Sequence, residues 1–116
     1  MLKDTLTVDR ETVETFDNIF FHHDEPNNAF FDIFEEGEDA GDHDEREIGN
    51  KTFADGVYVV LVACTRDCSV WCEVRWYDKH NNFFGKDTKT EMLGEYNGYT
   101  EEGDTPTHVL TVEKGN

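Results

Sequence analysis

The run Val57-Tyr58-Val59-Val60-Leu61-Val62-Ala63-Cys64 is the longest apolar stretch of the chain, and any fold must first find cover for it. It is far shorter than the ~20 residues that a helix needs to cross a bilayer, so it reads as a core element. Its β-branched content predicts a strand. The polar residues Thr65-Arg66-Asp67 follow, and then a second apolar segment, Cys68–Tyr77. Together they predict an antiparallel hairpin with 65–67 as its loop. In that register Cys64 opposes Cys68, Val62 opposes Val70, Val60 opposes Cys72 and Tyr58 opposes Val74. Tyr58, Val60, Val62 and Cys64 then share one face with Cys68, Val70, Cys72, Val74 and Trp76. Ser69, Glu73 and Arg75 fall on the other, partly wet face with Trp71 and Tyr77. Those two aromatics are candidate apolar anchors for a partner, or for a second copy in a homodimer. Lys79-His80-Asn81-Asn82 reads as the next turn. A weaker strand is expected near Phe83–Leu93, a loop over Gly94–Pro106 and a final strand over Thr107–Glu113.

The N-terminal half has a different pattern. Val13, Phe16, Ile19 and Phe20 recur at helical spacing and predict a helix over Asp9–Phe21, capped by Thr7 or Asp9. His22 to Asn28 reads as a break around Pro26. A second short helix is expected over Asn28–Glu36, with Phe30, Phe31, Ile33 and Phe34 on one face and Asp32, Glu35 and Glu36 opposite. The stretch 37–50 is acidic, contains three glycines and reads as an exposed loop. The expected fold is therefore α+β: two short N-terminal acidic helices packed on a four-stranded antiparallel sheet. At 116 residues this is one domain, 1–116. Its layers are an acidic, mainly helical 1–50 and an antiparallel β-sheet 51–116.

Charge sharpens that division. The chain has 27 acids against 10 bases, a net of −17. Residues 1–50 hold 16 acids against 3 bases (−13), and residues 51–116 hold 11 against 7 (−4). High charge alone suggests disorder, but nine Phe, four Tyr and two Trp supply apolar surface for a real core. The imbalance argues against direct binding to nucleic acid, which needs a basic footprint, and against an anionic membrane surface. Met1–Thr7 lacks the apolar region of a secretory signal, which with the short apolar runs predicts a soluble, cytoplasmic protein.

The chemistry-bearing residues form no familiar catalytic pattern. G-x-S-x-G, Walker, H-E-x-x-H and G-x-G-x-x-G sequences are absent, so a non-enzymatic protein without a cofactor is expected. Cys64, Cys68 and Cys72 are spaced C-x3-C-x3-C. Three readings compete: buried thiols, a Cys64–Cys68 disulfide across the hairpin, and a metal site completed by His80. The odd count and the reduced cytosol favour thiols. His22, His23, Asp24 and Glu25, with His43, read as polar residues at a helix end, because adjacent side chains diverge. A calcium loop begun at Asp42 places Arg46 and Glu47 where an acid and Gly are needed, and fails.

The acidity itself remains. Solubility asks for a net charge of only about 2–8 in a small domain. Carboxylates three or four residues apart on a helix sit about 5–6 Å apart and can imitate a row of phosphates. Glu11 with Glu14, and Asp32 with Glu35 and Glu36, make such rows. Glu38, Asp39, Asp42, Asp44, Glu45 and Glu47 extend the charge through the expected loop. These residues predict an acidic inhibitor that occupies the DNA- or RNA-binding surface of a basic protein. A restriction enzyme, a CRISPR effector, another nuclease or a nucleoid protein would be a fitting target, as for a phage or mobile-element counter-defence protein. The alternatives are an immunity protein or antitoxin against a nuclease, and the Cys/His metal-binding module.

Overall fold

The structure, a computed structural model, describes residues 1–22, 43–66, 69–99 and 106–116. In chain order these form β1 (Leu2–Val8), α1 (Arg10–His22), β2 (His43–Thr52), β3 (Tyr58–Arg66), β4 (Ser69–Tyr77), β5 (Phe83–Lys89), β6 (Gly94–Tyr99) and β7 (Pro106–Lys114). One antiparallel sheet has the order β2-β3-β4-β5. The other, β1-β7-β6, pairs β7 antiparallel with β6 and parallel with β1. Edge strand β5 lies beside β6, and β1 lies beside β2. The seven strands therefore run round a flattened barrel that is open in its hydrogen bonding at two seams.

This overturns the expected α+β arrangement of two helices on one sheet: the described residues hold a single helix and two sheets. The second expected helix, Asn28–Glu36, lies outside the described residues. Three strands occupy segments without a strong apolar pattern. β1 alternates Leu2, Asp4, Leu6 and Val8 with Lys3, Thr5 and Thr7, and its charges hide a short strand that β7 completes. Of the expected loop 37–50, residues 37–42 lie outside the described residues and 43–50 belong to β2. It is polar because it lies at the edge of its sheet, where only one ladder is filled. β6, Gly-Glu-Tyr-Asn-Gly-Tyr, was hidden by its two glycines within the expected loop Gly94–Pro106.

The hairpin β3–β4 forms, but in a different register. Pairing continues through Thr65↔Val70 to Arg66↔Ser69, so only positions 67 and 68 separate the strands. The predicted loop counted Thr65 and Arg66 as connection because they are polar. The slip is odd, so it exchanges faces. Val59, Leu61 and Ala63, not Val60, Val62 and Cys64, join Val70, Cys72, Val74 and Trp76 in the core.

That core lies between the sheets and is closed by α1. Asp9 caps the helix: its Oδ2 accepts from the Thr12 amide at 3.0 Å, and Thr12 Oγ1 donates back to Oδ1 at 2.9 Å. Val13 and Phe16 point inward and are fully buried with Leu61, Trp76, Met92, Tyr96 and Leu110. The Tyr96 hydroxyl shares its proton between the carbonyls of Glu91 (2.8 Å) and Met92 (2.9 Å), which fixes the β5–β6 connection. Gly98 in β6 faces the Trp76 ring, and a Cβ there would stand 3.0 Å from it. No helix among the described residues is long and apolar enough to cross a membrane.

Two substitutions test this packing. Leu61→Ala removes a fully buried side chain between two sheets and is expected to cost about 3 kcal/mol. Gly98→Ala is expected to lower the urea midpoint as well, since neither backbone nor indole can retreat easily. Tryptophan fluorescence during denaturation reads both, and an unchanged midpoint in Gly98→Ala would contradict the close approach.

Candidate functional site

The outer face of the four-stranded sheet carries the densest set of interacting polar and aromatic side chains in the described residues. The register stacks it in cross-strand rows. Tyr58 opposes Tyr77, Val60 opposes Arg75, Val62 opposes Glu73 and Cys64 opposes Trp71. On the β2 side, Glu47 opposes Val62 and Glu45 opposes Cys64. Arg75 reaches diagonally over β3 to Glu45, with Nη1 at 3.0 Å from Oε1 and Nη2 at 2.9 Å from Oε2. The same guanidinium holds Glu73: Nε donates to Oε1 at 3.1 Å. The Trp71 indole donates to the other Glu73 oxygen at 3.0 Å, and Lys86 of β5 stands 3.7 Å from it. The result is a charge ladder, Glu45–Arg75–Glu73–Lys86, that ties together β2, β4 and β5.

Its electrostatics follow from that geometry. Burial pushes the Glu73 carboxyl up, but hydrogen bonds from Trp71 and Arg75 and the charges of Arg75 and Lys86 outweigh it. Its pKa therefore ends below the ordinary carboxylate value. The hydrogen bond to Glu45 leads in holding Arg75 protonated, against the opposing effect of burial. Cys64 lies under this ladder with no exposure, and burial pushes its thiol up to about 12.

Beside the ladder runs an aromatic stripe. Tyr58 and Tyr77 have ring centroids 6.1 Å apart, and Tyr77 meets Phe83 of β5 edge-on at 5.7 Å. Phe83 is 55% exposed, the most open aromatic of the described core and sheet faces. Between stripe and ladder is a depression of about 290 Å³ lined by Glu45, Glu47, Val60, Val62, Arg75 and Tyr77.

Among the described residues, those expected to carry function are dispersed over α1 and β2. Glu11 and Glu14 stand exposed on α1, with Glu14 3.8 Å from Lys114. Glu45 is drawn into the ladder, and Glu47 is exposed, accepting from Asn50 Nδ2 at 2.9 Å. Asp44 lies on β2. Asp32, Glu35, Glu36, Glu38, Asp39 and Asp42 lie outside the described residues. Cys64 and Cys72 occupy opposite faces of the sheet, so one ion cannot take both; Cys68 lies outside the described residues. His80 sits in the exposed turn that Asp78 organises, its Oδ1 accepting from the amides of His80 and Asn82 at 2.9 Å each. Among the described residues no group of His, Cys, Asp and Glu is arranged to hold a metal. Trp71 and Tyr77 do share the outer face, but Trp71 is bound into the ladder and Tyr77 into the aromatic stripe.

One constellation escaped the sequence. His108 of β7 points inward, its ring edge-on to Phe53 at 5.1 Å and near Trp76 at 5.9 Å. Its Nε2 meets Asp55 Oδ2 at 2.8 Å, and its Nδ1 meets Thr107 Oγ1 at 2.7 Å. A carboxylate, an imidazole and a hydroxyl are the components of nucleophilic catalysis. Here the imidazole is wedged between two core aromatics, and Asp55 also accepts from the Val57 amide at 3.1 Å. The trio anchors the Phe53–Val57 turn to β7. Asp55 and His108 lie 53 residues apart, and no local pattern announces the pair. The ladder had a signal, the alternation Trp71-x-Glu73-x-Arg75-x-Tyr77, once β4 was recognised as a strand.

Compared with protein-family models, with curated proteins and with solved structures, the chain matches none.

Stability should depend on pH in two opposing ways. Burial raises the Asp17 carboxyl, aided by Glu91 and Glu14 against Lys114, so stability grows as pH falls and this group protonates. Glu73 and Asp55 behave oppositely. For Asp55, burial is outweighed by hydrogen bonds from His108 and the Val57 amide, so its pKa is lowered. Their contribution is complete above the unfolded values of about 4 and is lost as pH falls through the lower folded ones. Urea midpoints should therefore fall as pH drops below about 4 through the lowered Glu73 and Asp55, and Asp17→Asn, which removes the opposing group, should make that fall steeper; an unchanged acid limb in Asp17→Asn would contradict the Asp17 contribution. At pH 7, added salt should raise the midpoint by screening the excess of negative charge. A disulfide-exchange thiol reagent should leave Cys64 and Cys72 unmodified at pH 7.5 until the protein is denatured, because both thiols are buried and pushed up.

Proposed function

We propose that the protein is a non-enzymatic acidic inhibitor that binds the nucleic-acid-binding surface of a basic protein. A restriction enzyme, a CRISPR effector, another nuclease or a nucleoid protein has the required surface. One observation carries this reading: the net charge of −17, most of it in residues 1–50. Arg75 and Lys86 of the second half are engaged at Glu73 within the scaffold, while Lys51 and Lys114 meet Asp4 and Glu14 at the surface. Glu11 and Glu14 stand on the exposed side of α1 at the i, i+3 spacing that sets carboxylates side by side. So large an excess works against the folded state through self-repulsion and steers encounters with positively charged surfaces.

The test is retention of host-extract proteins on the immobilised protein, with elution in salt steps and identification of each fraction. A stoichiometric basic nucleic-acid enzyme that stays bound at about 0.15 M salt supports the proposal. Reversing Glu11 and Glu14 together to Lys, and separately Asp32, Glu35 and Glu36 to Lys, should each weaken inhibition of that enzyme by about tenfold or more, mainly through slower association. Unchanged inhibition in both variants would sink the mimicry reading.

A further inference from the structure

The depression on the outer sheet face has a composition that selects its occupant. Its floor is Val60 and Val62, both nearly buried, and Tyr77 forms one wall. Glu45 and Glu47 stand along the β2 side, and Arg75 with its bidentate grip on Glu45 closes the other end. Glu47 is the uncommitted charge. Its one hydrogen bond comes from neutral Asn50, and it makes no ion pair among the described residues.

We propose that this depression receives an arginine side chain of the basic partner, with the guanidinium paired to Glu47 and its stem laid over Val60 and Val62 against Tyr77. The proposal rests on the acidic-inhibitor reading above and assigns that reading its contact point. Charge complementarity sets the choice. A second copy of this chain, a nucleic acid or an acidic peptide would bring negative charge against Glu45 and Glu47. A purely apolar segment would desolvate Glu47 without a partner. Lysine offers a point charge, whereas arginine combines a flat face for the tyrosine ring with a fork for the carboxylate. The face already handles one arginine in this way: Arg75 lies across β3 and forks onto Glu45, 4.0 Å from the Cys64 sulfur beneath it. An incoming arginine on Glu47 would repeat that arrangement one row along the same strand pair.

The experiment is an amide-resolved NMR titration of the full chain with hexa-arginine and with hexalysine at about 0.15 M salt. Expected are hexa-arginine shifts centred on Glu47, Val60, Val62 and Tyr77, with affinity about three- to fivefold above that of hexalysine. Glu47→Gln and Tyr77→Leu should each weaken hexa-arginine by a similar factor. Glu113→Gln, on β7 in the other sheet, should not. Glu47 is exposed on an edge strand, so its variant keeps the test valid if Tyr77→Leu loses stability.

Shifts centred on Glu11 and Glu14, with no arginine preference, would overturn the arginine site while leaving the acidic-inhibitor reading intact. No binding of either peptide, or no effect of Glu47→Gln, would also overturn the site. Conversely, binding at Glu47 together with an empty host-extract retention would keep the site and remove the inhibitor reading.

Discussion

β3 is apolar on both faces, and the rest of the structure is a response to that constraint. Val59, Leu61 and Ala63 look inward, while Val60, Val62 and Cys64 look outward. The inner face is covered conventionally, by β1-β7-β6 and by α1 through Val13 and Phe16. The outer face has no described second layer of strands. Long side chains from its neighbours cover it instead: Arg75 laid diagonally over β3, Trp71 and Glu73 beside it, Tyr58 and Tyr77 at the far end. Arginine and the aromatics suit this because each combines an apolar body with a polar end. Val62 and Cys64 are thereby removed from water while the surface above them stays polar.

Covering a strand in this way commits charges to fixed partners. Glu73 is nearly buried and would be costly there without its indole, guanidinium and ammonium neighbours. Arg75 serves two carboxylates at once, so loss of its guanidinium would leave Glu73 with only Trp71 and Lys86. The ladder therefore works less as a source of net stability than as a lock on register. Glu45 meets Arg75 only when β2 and β4 both pair with β3 as observed. A slip of one residue would send Glu45 or Glu73 toward the core face.

This explains which parts of the fold were legible in the sequence. The helix at Arg10–His22, the hairpin strands, the Asp78–Asn82 turn and the strand at β7 each carry a local pattern: 3.6-residue spacing, β-branched runs, or turn residues at the right offsets. The register of the hairpin did not, because β3 is apolar at both periodicities and gives no vote on which face is inside. β4 alone held that information, with Glu73 and Arg75 marking its outer side. β1, β2 and β6 were illegible for another reason. Each is polar or glycine-bearing and becomes a strand only because an apolar neighbour, β7 or β3, offers it a ladder. The same non-locality hid the Asp55–His108 contact and the meeting of Glu45 with Arg75, which lie 30 residues apart.

The two kinds of charge in this protein consequently have different physical roles. Paired charges such as Glu73 and Arg75 sit where desolvation strengthens them, and they define the scaffold. Unpaired ones such as Glu11 and Glu47 sit on exposed positions, where each contributes little to folding but adds to the field outside. A chain selected only for stability would have relieved that field with surface lysines, since neutralising a solvated carboxylate disturbs no contact. The field persists over a scaffold whose own charges at Glu73 and Arg75 hold fixed partners, so much of the excess is separable from the fold. That separability is what makes charge reversal at Glu11, and neutralisation at Glu47, a fair probe of function and not merely of folding.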